Sequence, residues 1–98
     1  MSIVRHVVIR GLVQAVGFRA FVQDAAEERY LEGWVRNRSD GSVEAVLSGR
    51  EDAVDTVIKS LRAGPPAAKV EAVDVKEAAS DLLQQRPKNT RFAVLPTG

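Results

Sequence analysis

Hydrophobic positions along the chain change period several times, and each change marks an element. Ile3 to Arg10 is dominated by Val and Ile, the composition of a β-strand. Gly11 and Gly17 then bracket a short loop, LVQAV. From Phe18 the spacing becomes helical. Phe18, Phe21, Val22, Ala25 and Ala26 share one face, while Asp24, Glu27 and Glu28 face water. Gly33, after this stripe, predicts a left-handed helix terminator. Trp34 to Arg38 and Val43 to Leu47 read as strands joined through Ser39-Asp40-Gly41, and Asp-Gly between β-prone runs is a strong hairpin signal. Ser48-Gly49-Arg50-Glu51 has the pattern of a capping box: Ser48 would cap backbone N–H groups while Glu51 reaches back. Val54, Val57, Ile58 and Leu61 form a second helical stripe, stopped by Gly64-Pro65. Val70, Val73 and Val75 mark another strand. Ala78 to Asn89 reads as a loop, and Phe92, Val94 and Leu95 as a last short strand.

The order β-α-β-β-α-β with an extra C-terminal strand predicts an α+β, ferredoxin-like sandwich. Two helices cover one face of an antiparallel sheet of core order 4-1-3-2. Right-handed crossovers make strands 1 and 2 point the same way, so their C-terminal ends meet at one edge.

Composition narrows the class. With 98 residues, 45% hydrophobic and 28% charged, the chain reads as a single domain over residues 1–98. Fourteen Lys and Arg against thirteen Asp and Glu leave +1, which argues against a dedicated nucleic-acid binder. The absence of Cys and the single His exclude disulfides, thiolate zinc sites, iron–sulfur clusters, a cysteine nucleophile and His-rich metal sites. Arg5, His6 and Arg10 interrupt any signal-peptide apolar region, and no apolar run approaches the ~20 residues of a membrane helix. The expectation is a cytoplasmic monomer with no membrane association.

Two places carry candidate chemistry. Gly11 to Arg19, GLVQAVGFR, is a strand, a loop of small residues and a helix N-terminus. Such a junction aims unpaired N–H groups and the positive end of the helix dipole at one spot, which suits an anion. Arg19 adds a guanidinium fork matched to phosphate. On spacing alone, an ordinary βα turn with a solvated Arg fits as well. The second place is Asn37, near the end of strand 2. It is either a turn residue or a carboxamide that holds a water by donating and accepting together. His6 reads as a surface strand residue, Trp34, Phe92 and Tyr30 as packing. Arg5, Arg10, Arg36 and Arg38 form either a basic rim or a plain solvated face. Ser39 and Ser42 lack a His–Asp partner set.

IRGLVQAVGFR resembles the acylphosphatase signature Gly-x-Val-Gln-Gly-Val-x-Phe-Arg, and GWVRNRSDGSVEAVLSG resembles that family's second signature, Gly-aromatic-x-x-Asn followed by Gly-x-Val and a later Gly. Gly64-Pro65 and the Phe92 strand also sit as in that family, so the resemblance covers essentially the whole chain. It implies hydrolysis of acyl phosphates without metal, cofactor or phosphoenzyme. Arg19 and the backbone of Gln14, Ala15, Val16, Gly17 and Phe18 would hold the phosphoryl group. Asn37 would orient the attacking water, and inorganic phosphate or sulfate would inhibit. Ala15 departs from the family's Gly. If the position needs a positive φ, Ala costs roughly 1–2 kcal/mol there. A binding module on the same fold, and a carbamoyl phosphate site within a larger assembly, are the alternatives.

Overall fold

The computed structural model describes residues 2–98. In chain order these form β1 (Ser2–Leu12), α1 (Phe18–Glu28), β2 (Glu32–Asn37), β3 (Val43–Arg50), α2 (Glu51–Ala63), β4 (Lys69–Glu77), a 3-10 helix (Ser80–Gln85) and β5 (Phe92–Val94). The sheet order is β4-β1-β3-β2-β5. The four core strands are antiparallel neighbours in the expected order, with Ile9 opposite Val43 and Val35 opposite Ala45. β5 pairs with β2 in parallel, Gly33 opposite Phe92, so the complete sheet is mixed. The reason lies in the route of the chain. After β4, at one edge, residues 78–91 cross to the other edge and enter it in the direction of β2.

Strand alternation divides the sheet into two faces. Val7, Ile9, Val35, Val43, Ala45 and Leu47 point toward the helices and join Phe18, Val22, Ala26, Val54, Val57 and Leu61 in the main core. Burying a side chain of this size contributes about 1.5–3 kcal/mol, so an Asp at Val22 would lose that and strand a carboxylate. The opposite face is not left to water. Trp34, Val46 and Ala93 form a second cluster, with Leu82 and Leu83 of the 3-10 helix packed on it. Trp34 Nε1 donates to the Leu82 carbonyl at 2.7 Å. The segment read as a loop is therefore a cover.

Several local expectations change. β3 runs on to Arg50, so Ser48 is a buried strand residue and no capping box forms; α2 has no side-chain cap. Pairing of Ser48 with Val4 and Glu32 holds it in the ladder. α1 ends at Glu28, and the left-handed residue that closes it is Tyr30, not Gly33. Tyr30 takes φ 59°, its amide donates to Glu27 O and the Leu31 amide to Ala26 O, the Schellman pattern. Tyr30 is 77% exposed instead of packed, because a left-handed cap turns it outward while Leu31 enters the core. Gly33 has a different task. A Cβ there would lie 1.8 Å from the Val46 carbonyl oxygen, so only glycine lets β2 meet β3. The irregular spacing Val70, Val73, Val75 is explained by a register shift at Arg10/Gly11, where Glu71 is an extra residue that returns Val70 to the core face.

Candidate active site

β1 delivers the chain to the sheet edge, and fully buried Val13 anchors it there. The next four residues make a loop before α1. Ala15 at φ 60° and Gly17 at φ 79° are both left-handed. The departure from the family pattern thus falls on a position that does need positive φ. Gly17 is the residue before α1, and its carbonyl accepts from the Phe21 amide at 3.0 Å. Among the described residues, the amides of Ala15 to Arg19 have no backbone acceptor. α1 also has no side-chain cap and no acidic residue in its first turn. Its positive end is uncompensated. The contrast with α2 is direct, since Glu51 and Asp52 occupy that helix's first turn.

Arg19 is half-buried and makes no ion pair or side-chain hydrogen bond among the described residues. Asn37 ends β2 opposite Val43. Its side-chain Oδ1 is buried without a partner, a state that costs about 1–3 kcal/mol. A cleft of about 310 Å³ brings Ala15, Gly17, Phe18, Arg19 and Asn37 together. Gln23 and Val94 complete its wall.

The other expected loop residues are placed differently. Gln14 sends its carboxamide to the β2–β3 turn, with Nε2 donating to Arg38 O at 2.7 Å and Ser42 O at 2.9 Å. Val16 packs its side chain on the core, and the Phe18 ring is buried there. Of these three only Phe18 lines the cleft; Gln14 and Val16 do not. Gln23 was missed by the sequence reading, although it stands four residues after Arg19 on the same helix face. Val94 carried no such signal, because only the pairing of β5 with β2 brings it near.

The arginines sort themselves by partner. Arg10 is shared by Asp40 at 3.7 Å and Asp74 at 3.4 Å. Arg36 is bound to Glu44 at 2.7 Å. Two of the four rim arginines, Arg10 and Arg36, are thus neutralised by carboxylates, Arg5 and Arg38 have no ion-pair partner among the described residues, and Arg19 is the unpaired guanidinium that lines the cleft. Hydrogen bonds from the Ser42 hydroxyl and amide, with Arg38 and Arg10 nearby, hold the Asp40 carboxyl below its usual range. That shapes the hairpin turn beside Asn37. No group of three side chains suited to a metal ion occurs among the described residues, and no helix is long and apolar enough to cross a membrane. Chemically, the cleft offers unspent N–H donors, one free guanidinium and the Asn37 carboxamide, whose oxygen has no partner among the described residues.

Comparison with known proteins follows the same direction. The family model described as Acylphosphatase matches residues 5–93. A curated relative from Rhodopseudomonas palustris, named Acylphosphatase, is 52% identical over 94 residues, covering 96% of this chain and 95% of the relative. The solved structure of an acylphosphatase from Bacillus subtilis matches with a TM-score of 0.83 at 37% identity, over 97% of this chain and 99% of that one. An acylphosphatase structure from Coxiella burnetii matches with a TM-score of 0.83 at 36% identity, over 96% of this chain and 93% of that one.

Proposed function

This chain belongs to the acylphosphatase family, and on that premise we propose that it hydrolyses the carboxyl–phosphate anhydride of acyl phosphates to a carboxylate and inorganic phosphate. The phosphoryl group sits against the backbone amides of Gln14 to Arg19. The Arg19 guanidinium binds its equatorial oxygens, where charge develops. Asn37 Oδ1 accepts a hydrogen bond from a water and so turns an oxygen lone pair toward phosphorus. The water oxygen forms the new P–O bond. The bond from phosphorus to the acyl oxygen breaks, and its electron pair leaves with the carboxylate. The phosphoryl oxygens take the water's proton. A carboxylate is a good leaving group, so positioning and charge stabilisation suffice without a strong protein base. No metal or cofactor enters the proposed step.

One observation carries this reading: Asn37, whose side-chain Oδ1 has no partner among the described residues, lines the same cleft as the unpaired Arg19 and the loop of unspent amides. A binding module would need the anion site but not the carboxamide beside it. Benzoyl phosphate hydrolysis in EDTA tests the proposal. Turnover is expected, with competitive inhibition by inorganic phosphate and little action on phosphate monoesters. Titration with phosphate should shift the amides of Ala15 to Arg19 most. Shifts centred on residues 78–89, or activity that needs added magnesium, would overturn the assignment.

A further inference from the structure

We propose that Gln14 is a positioning residue for this reaction, acting through Asn37. The inference rests on the hydrolytic reading above and adds a residue to it. Gln14 Nε2 spends both of its protons on the β2–β3 turn, donating to Arg38 O at 2.7 Å and Ser42 O at 2.9 Å. Those two carbonyls also close the turn, since Arg38 N donates to Ser42 O at 2.9 Å and Gly41 N to Arg38 O at 3.1 Å. Arg38 directly follows Asn37. Among the described residues, no other hydrogen bond joins residues 14–17 to the β2–β3 hairpin.

This bridge spans the two halves of the reaction. On one side is the anion loop, whose amides from Ala15 to Arg19 have no backbone acceptor among the described residues. On the other is Asn37, whose Oδ1 has no partner to fix its direction. Asn37 is placed by its backbone alone: the ladder to Val43, the Gly98 amide on its carbonyl at 2.9 Å, and the turn that follows. The distance from bound phosphorus to the water on Asn37 is therefore set by what ties the loop to that turn. Gln14 is that tie. Neither a carboxylate nor an apolar side chain can replace it, because both lack the two donors the carbonyls need.

The test is a double-mutant cycle on the full chain, with acetyl or benzoyl phosphate turnover and inorganic phosphate inhibition as separate readouts. Gln14→Met keeps length and removes the donors. A misplacement of about 1 Å costs roughly 10²-fold in such sites, so kcat should fall by about 10–100-fold. The inhibition constant for phosphate should change far less, because Arg19 and the loop amides remain. In an Asn37→Ala background the same Gln14→Met change should cost little, because the group it positions is gone. If the Met variant melts too low to assay, Gln14→Ala, which removes the donors, adds no charge and leaves room for water on the two carbonyls, carries the same test. Equal losses in both backgrounds would overturn the proposal. So would a phosphate inhibition constant that rises in step with the loss of kcat, the signature of a loop that has simply come apart. Full turnover in Asn37→Ala alone would instead sink the role of Asn37, and the positioning role with it.

Discussion

Arg36 and Asn37 are neighbours in sequence on β2 and live in opposite circumstances. Arg36 lies on the sheet face away from the helices, where Glu44 Oε1 accepts from its Nε at 2.7 Å and its guanidinium lies 5.0 Å from the Trp34 ring centroid. Glu44 Oε2 also contacts His6 Nε2 at 2.7 Å, and the Trp34 N–H is taken by Leu82. The charges and donors named there have found partners. On the other side, among the described residues, Asn37 Oδ1 has none, Arg19 has none, the loop amides have none, and Ala15 holds a left-handed backbone. The difference is one of satisfaction rather than residue type. A closed polar network joins β1, β3 and β2. An open one keeps polar groups unspent, at a cost to the free protein, until a ligand supplies their partners.

Substitutions at the open end should damage rate more than stability. Arg19→Ala should weaken phosphate binding and cut turnover together, since the charge is engaged before and during the reaction. Asn37→Ala should lower kcat by ~10²–10³ while phosphate affinity stays nearly intact. Its melting temperature should not fall, because the change removes a buried acceptor that had no partner. A cooperative loss of stability in Asn37→Ala would break the contrast between the two faces.

Substitution at the closed network should do the reverse. Glu44→Ala strands Arg36 and the His6 contact. Both partners keep partial access to water, with side-chain exposures of 29% and 25%. The expected cost is about 1–3 kcal/mol, less than the ~3–5 of a fully buried pair. Turnover should stay near the parent's. The same network predicts a pH dependence. Burial pushes the Glu44 carboxyl up, but the hydrogen bonds from His6 and Arg36 outweigh it and its pKa lies below the ordinary 4.5. The unfolded state then binds more protons than the folded one as the medium becomes acidic. Glu44 stabilises the fold fully above pH 4.5, and that contribution disappears as pH falls through the lower folded value. Thermal melts of parent and Glu44→Gln across this range should converge at the acid end. A constant offset would show that the carboxylate's charge is not what holds the strands.

Smaller effects sharpen the comparison. Ala15→Gly relieves a left-handed alanine, a change of about 1 kcal/mol offset in part by glycine's greater freedom when unfolded. A slightly higher melting temperature and a modestly lower Michaelis constant are expected. A large loss of activity would mean that the methyl group, not the backbone angle, matters in the cleft. EDTA should have no effect on turnover, and any loss would place a metal in the open site.

Much of this was legible in the residues. Helical and strand periods located the main elements, Asp40-Gly41 the hairpin, and Gly64-Pro65 the end of α2. The same reading failed where a local motif competed with the sheet. Ser48 to Glu51 spells a capping box, but pairing with two strands at once outweighs a single cap, and β3 continues to Arg50. Gly33 suggests a helix stop, but its lack of a Cβ serves close approach to Val46, and Tyr30 closes the helix.

The active-site region shows the same division. By itself the sequence determined which groups are available: a loop of small residues before a helix, an arginine in the first turn, an asparagine at a strand end, and no cysteine or histidine cluster beside them. Those are properties of residue type and spacing, set by backbone freedom and side-chain chemistry. Only the tertiary structure decided which groups are spent. Arg10 and Arg36 are bound to carboxylates, and Arg19 is free. Gln14 turns away from the cleft to the hairpin, and Gln23 and Val94 complete the wall. Partnership depends on distances across the sheet, and these follow from strand order, register and the parallel arrival of β5. No spacing along the chain encodes them, because the partners lie tens of residues apart and meet only when the sheet has closed.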